Sequence, residues 1–198
     1  AAGLGAFQWL ELAHPDPSDP RVLAVAITLY TVVVLACAAR WGRVWLQTGE
    51  GLTVLFRLAA SMAPIGRRPD GRLVLRWPVV GLSQLEPRRG IAAVVVTVIG
   101  GTTFAGISRS RWFDEGFRSV AGWDRALLNT AGLAVTIALV ALGYLAAIAL
   151  VSRIGGGDSA RVADRFASSL VPIALAYSVA HYFSLAVFDG QGAWRLLS

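Results

Sequence analysis

His181 is the side chain best equipped for chemistry in this 198-residue chain. It stands inside an apolar run, within Tyr177-Ser-Val-Ala-His-Tyr-Phe-Ser-Leu. On a helix, Tyr177 four residues before and Ser184 three residues after share its face. Tyr182 lies next to it. An imidazole in such a setting can act as a general base, a proton relay or a ligand. The bland alternative is a neutral ring hydrogen-bonded to Tyr177, Ser184 or a neighbouring helix.

A second constellation is Thr102-Thr-Phe-Ala-Gly-Ile-Ser-Arg-Ser-Arg. Thr103, Ser108 and Arg109 offer hydroxyls and a planar fork of donors suited to a phosphoryl group. The competing reading has Arg109 and Arg111 only anchoring a helix end. Asn129 can hydrogen-bond across helices, as structural glue. No P-loop, GxSxG, HExxH or paired-cysteine motif occurs. The two histidines, His14 and His181, are far apart in the chain and Cys37 is its lone cysteine, so no metal site is expected and no cofactor is named.

The elements that carry these residues are apolar helices. Four stretches are almost free of charge: Val22–Ala39, Ile91–Ser108, Ala126–Val151 and Phe166–Phe188. Eighteen helical residues rise about 27 Å, close to the ~30 Å hydrocarbon core of a bilayer. All seven tryptophans fall at or beyond the ends of these runs, where indoles prefer the headgroup level. The expected fold class is therefore all-α: a polytopic transmembrane helix bundle forming a single region over residues 1–198. The apolar piece 51–64 carries Arg57 and is short, so it is expected as an interfacial or re-entrant helix. Residues 67–72 read as a turn and 73–78 as a short extended piece, while 112–125 mixes aromatic and charged groups as an interfacial segment does. Small residues four apart, at 101/105, 102/106, 143/147 and 176/180/184, would let helices approach closely.

Only 15% of the residues are charged, below the roughly 25% of soluble domains. All 18 basic residues are arginines, a bias that points to a high-GC bacterium. They cluster between the apolar runs, which fits lipid contact and excludes nucleic acid as the expected partner. With the 40–90 loop inside the cell, twelve arginines fall on that side and six on the other. This places the loop in the cytoplasm and the protein in the bacterial inner membrane as a multi-pass component. The chain reads as an internal piece of a longer protein, with the lipid bilayer and other membrane subunits as expected partners.

Two segments carry a family resemblance: Thr103-Phe-Ala-Gly-Ile-Ser-Arg and Ser169-Leu-Val-Pro-Ile-Ala-Leu-Ala-Tyr-Ser-Val-Ala-His-Tyr-Phe-Ser-Leu. Trp9-Leu-Glu-Leu, Gly49-Glu50 and Gly71-Arg-Leu-Val-Leu-Arg extend it over nearly the whole chain. The chain resembles the bacterial, mostly actinobacterial, integral-membrane family labelled fenitrothion hydrolase. Ala105 departs from the Asp of the family's Thr-Phe-Asp-Gly-type motif. The resemblance implies hydrolysis of a lipophilic organophosphorus triester by water. His181 is then the candidate base and Arg109 the candidate charge stabiliser, with Tyr177, Tyr182, Ser184, Thr103 and Ser108 binding. The alternative expectation is a non-catalytic membrane component, either a transporter or a subunit of a larger complex.

Overall fold

The computed structural model describes residues 2–68, 70–77, 80–84, 90–155 and 159–197. Its elements, in order, are α1 (Ala2–Leu12), α2 (Pro20–Thr48), α3 (Gly51–Ser61), β1 (Ile65–Arg67), β2 (Leu73–Leu75), a 3-10 turn (Val80–Gln84), α4 (Ile91–Ser108), α5 (Arg111–Gly116), α6 (Gly122–Gly155) and α7 (Ser159–Leu197). Three helical runs among the described residues are long and apolar enough to cross a membrane: Pro20–Ser61, Ile91–Ser108 and Gly122–Gly155. Of the fourth expected span, they supply the shorter apolar helix Ser169–Ala180 within α7.

The proline-rich turn ends where Asp19 caps α2. Its carboxylate accepts from the Arg21 N–H at 2.8 Å, and Pro20 occupies the first turn, where a missing N–H does no harm. α2 runs well past Ala39, because Arg40 and Arg43 end the apolar run without ending the helix. The helical path breaks at Gly42, whose φ of 63° and ψ of −148° lie outside the helical region. Gly49 then lies under the Trp45 indole, where an added Cβ would come within 2.2 Å of the ring.

Past Glu50 the chain re-enters the bundle as α3. Leu58, 3% exposed, joins Leu4, Leu82, Val94, Val95, Val98, Val171 and Ala174 in one apolar cluster. α3, expected as an interfacial or re-entrant helix, thus packs one face into the bundle and leaves Phe56 exposed on the other. Its C-terminal end is closed by Arg76, which donates to the carbonyls of Ala60, Ser61 and Ala63 at 3.3, 3.1 and 3.1 Å. A guanidinium at a helix C-terminus satisfies carbonyls that have no partner within the helix. The expected turn at 67–72 joins two strands, β1 and β2, which pair antiparallel with Ile65 opposite Leu75 and Arg67 opposite Leu73.

α4 is apolar all round, as a central helix must be. Some 56% of its residues are buried, against 0% of the most apolar window in Pro20–Ser61 and 11% in Gly122–Gly155. α1, α3, α6 and α7 surround it. Adjacent glycines serve different neighbours: a Cβ on Gly100 would meet the Ile137 Cα of α6 at 2.7 Å, and one on Gly101 would strike the Gln8 amide of α1. Gly132 in turn admits the Phe104 ring. Thr97, Thr102 and Thr136 turn their hydroxyls back on carbonyls of their own helices, at 2.7, 2.8 and 3.0 Å. Tyr144 of α6 donates to the Ala163 carbonyl of α7 at 2.6 Å and ties that helix pair together. The close approach that the spacing allows at Gly143 is not made among the described residues, where nothing lies within 4 Å of a Cβ built there.

Gly100→Ala is therefore expected to lower stability by about 1–3 kcal/mol, because backbone on α6 cannot yield as a side-chain tip can. Gly143→Ala should be neutral or slightly stabilising. Thermal unfolding of both variants in detergent checks the contrast.

Candidate functional site

The Ser108 end of α4 gathers a group of exposed polar side chains. Arg109 caps the helix, and the Ser110 hydroxyl accepts from the Phe113 N–H at 3.3 Å to start α5. Phe113, 6% exposed, anchors this corner by packing edge-on against Phe104 at 6.0 Å and against Phe117 at 5.1 Å. The Arg125 guanidinium sits 5.1 Å over the Phe113 ring and donates to the Phe117 carbonyl at 2.9 Å. With its aromatic side fixed inward, the corner turns Ser108, Arg109, Arg111, Asp114, Glu115 and Arg118 toward an open recess of about 680 Å³. Arg111 and Glu115 approach only to 3.9 Å, both largely in the open, so they bind each other weakly. Three guanidiniums against two carboxylates leave a site able to attract an anion and fork onto its oxygens.

The sequence-derived residues fall unevenly around this end. Arg109 is exposed and lines the recess. Ser108 lines it too, but its hydroxyl donates to the Ala105 carbonyl at 3.2 Å. Thr103 likewise donates to the Ile99 carbonyl at 2.7 Å. Both keep oxygen lone pairs to offer and neither has a free proton. Tyr177, half-exposed on α7, brings its hydroxyl oxygen to 3.4 Å from a Cβ built on Gly106 of α4. Val171 and Ala174 pack beside Val94, Val95 and Val98, so numbers rise together along α4 and α7. Position 181, one turn beyond Tyr177, accordingly lies toward the Ser108 end. The side chains of His181, Tyr182 and Ser184 lie outside the described residues. Ala105, where the resemblance leads to an Asp, is 1% exposed among apolar neighbours.

A second polar site was not foreseen from the residue pattern. Glu50 is 7% exposed and holds the N-terminus of α3, accepting from the Leu52 N–H at 2.8 Å and from the Thr53 N–H. Its other donor is the Tyr30 hydroxyl, from the middle of α2. Three donors on one carboxylate replace the water that burial removes. Gly51 then lies against α1, where a Cβ would meet Leu4 at 3.2 Å. One turn along α1, the buried Gln8 presents an Oε1 with no hydrogen-bond partner among the described residues. Farther along, Trp9 donates to Thr130 at 2.9 Å, and Asn129 donates to the Leu12 carbonyl at 3.0 Å, in the helix-tying role expected of it. A capping signal was present in Gly49-Glu50 before an apolar run; the partner twenty residues upstream was not.

Among the described residues no group of three or more His, Cys, Asp or Glu is placed to hold a metal ion. The chain matches no family model, no curated protein and no solved structure.

Tyr30→Phe should lower stability by about 1.5–3 kcal/mol, the worth of a hydrogen bond to a charged group. In a double-mutant cycle with Glu50→Gln, the two losses should fall short of additive; strictly additive losses would mean that the two groups do not act as one unit.

Proposed function

We propose that this chain is part of a multi-pass bacterial membrane protein that hydrolyses a lipophilic phosphotriester-like substrate at the Ser108 end of α4. The observation that supports this reading is the approach of Tyr177 on α7 to Gly106 of α4, two residues before Ser108, which lines the arginine-rich recess. In the proposed reaction His181 takes a proton from water as the water oxygen bonds to phosphorus. The bond from phosphorus to the leaving oxygen breaks, and the leaving group departs as an aryloxide-type anion. Arg109 offsets the negative charge that grows on the phosphoryl oxygen. Tyr177, Tyr182, Ser184, Thr103 and Ser108 would position the ester. Resemblance to the fenitrothion hydrolase-labelled family supports the same choice. The inner membrane is the proposed location, with the 40–90 loop in the cytoplasm, on the strength of the arginine excess.

A second reading has its own support. The most apolar window of α2 has no buried residue, and Val25, Ile27, Leu29, Val32, Val33 and Leu35 are each more than half exposed. A span so bare on its own bundle fits a non-catalytic component that packs against other membrane helices.

The deciding measurement is turnover of an aryl phosphotriester by purified full-length protein. Under the hydrolase reading the wild type turns over, and His181→Ala and Arg109→Ala each lose about 100-fold or more in kcat. Equal turnover in wild type and His181→Ala would remove His181 from catalysis. No turnover in any form would leave the component reading standing.

A further inference from the structure

The β1–β2 hairpin has two unlike faces. Gly66, Val74 and Arg76 share the inner one, where the guanidinium lies 3.1 Å from a Cβ built on Gly66 and 2.6 Å from one built on Gly81. Two glycines thus make room for Arg76 between hairpin and 3-10 turn, and its three hydrogen bonds fasten the hairpin to the end of α3. Alternation along each strand puts Ile65, Arg67, Leu73 and Leu75 on the other face, with Trp77 two residues farther on. That face is bare: Ile65 is 62% exposed, Leu73 70%, Leu75 84% and Trp77 84%. Arg67, Arg68 and Arg72 stand exposed at its turn end, where Asp70 is the single carboxylate among the described residues of the turn. The Asp70 carboxylate is already engaged by the Arg72 N–H at 3.1 Å.

We propose that this hairpin is a foot that rests on anionic phospholipid, with its apolar face among the upper acyl carbons and its three arginines on the phosphates. Charge chooses the occupant: a net positive rim around an apolar patch complements an anionic headgroup layer. The indole of Trp77 is amphipathic, as a residue at that level should be. The hairpin also follows directly from the end of α3, to which Arg76 fastens it. The proposal rests on the membrane part of the reading above and is independent of the hydrolase part. Arg76 is not a lipid ligand here; it fixes the angle at which the foot meets the surface.

The test uses the full-length protein in nanodiscs containing phosphatidylcholine with or without phosphatidylglycerol, one lipid at a time carrying bromine on its upper acyl carbons. The Trp77 signal is the difference between wild type and Trp77→Phe, a substitution at a residue that packs on little. Stronger quenching by brominated phosphatidylglycerol than by brominated phosphatidylcholine is expected, with most of that preference lost in Arg67→Gln/Arg72→Gln. Quenching by aqueous acrylamide in place of brominated lipid would overturn the proposal. So would equal quenching by both lipids, or shielding from every quencher, which would mean a protein partner on this face. The tryptophans that remain in Trp77→Phe separate the two readings. If they too escape brominated lipid, the membrane reading itself fails; if only Trp77 escapes, the foot alone fails.

Discussion

A carboxylate inside an apolar bundle must be surrounded by donors or it is expelled, and Glu50 is surrounded. Its donors are two backbone N–H groups at the start of α3 and the hydroxyl of Tyr30 on α2. Among the described residues no arginine joins them, and the helix N-terminus supplies compensating positive potential. Everything from Gly42 to the hairpin follows from this placement. With Glu50 held at Tyr30, α3 starts deep in the bundle, Gly51 touches α1, and Leu58 reaches the cluster beside Val94 and Val95. The far end of α3 then becomes the surface on which Arg76 seats the hairpin.

α4 is held differently. Against α1 and α6 it presents Gly101 and Gly100, and its threonine hydroxyls are satisfied within the helix. If lipid surrounds the bundle, apolar burial gives little preference for one helix partner over another. Close backbone packing and a few polar ties must then select them. The pairs Trp9–Thr130, Asn129–Leu12 and Tyr144–Ala163 are ties of this kind, each joining helices that α4 alone would not fix in register. The proposed chemistry sits at the end of the same helix, where Phe113 stops the packing and the arginines begin.

How far this was legible in the sequence depended on what each residue's role required. Ile91–Ser108 could be read to the residue, because Gly90 and Arg109 bound an uninterrupted apolar run and nothing competes with a helix there. The first apolar run, Val22–Ala39, stops three residues before the helical path breaks at Gly42, and the helical turns from there to Thr48 were not legible because no apolar run marks them. The Tyr30–Glu50 pair was invisible for a further reason: it depends on a reversal at Gly42 that no periodicity encodes. At the candidate site the residue types were legible and their employment was not. Thr103 and Ser108 look equally fit to bind a ligand or to bond back to their own helix, and only coordinates show the second. The hairpin was half legible, since the turn composition and the extended run were plain and their pairing was not.

Gly42 has a consequence of another kind. Its φ of 63° and ψ of −148° are nearly the mirror image of the polyproline conformation, and nothing lies within 4 Å of a Cβ built there. Room is not what restricts the position; handedness is. An L-side chain of any size would be strained against its own backbone at these angles, whereas for a D-residue the same angles are a relaxed, extended conformation. The reversal that carries the chain back to Tyr30 is therefore a matter of chirality, set by the one residue that has none.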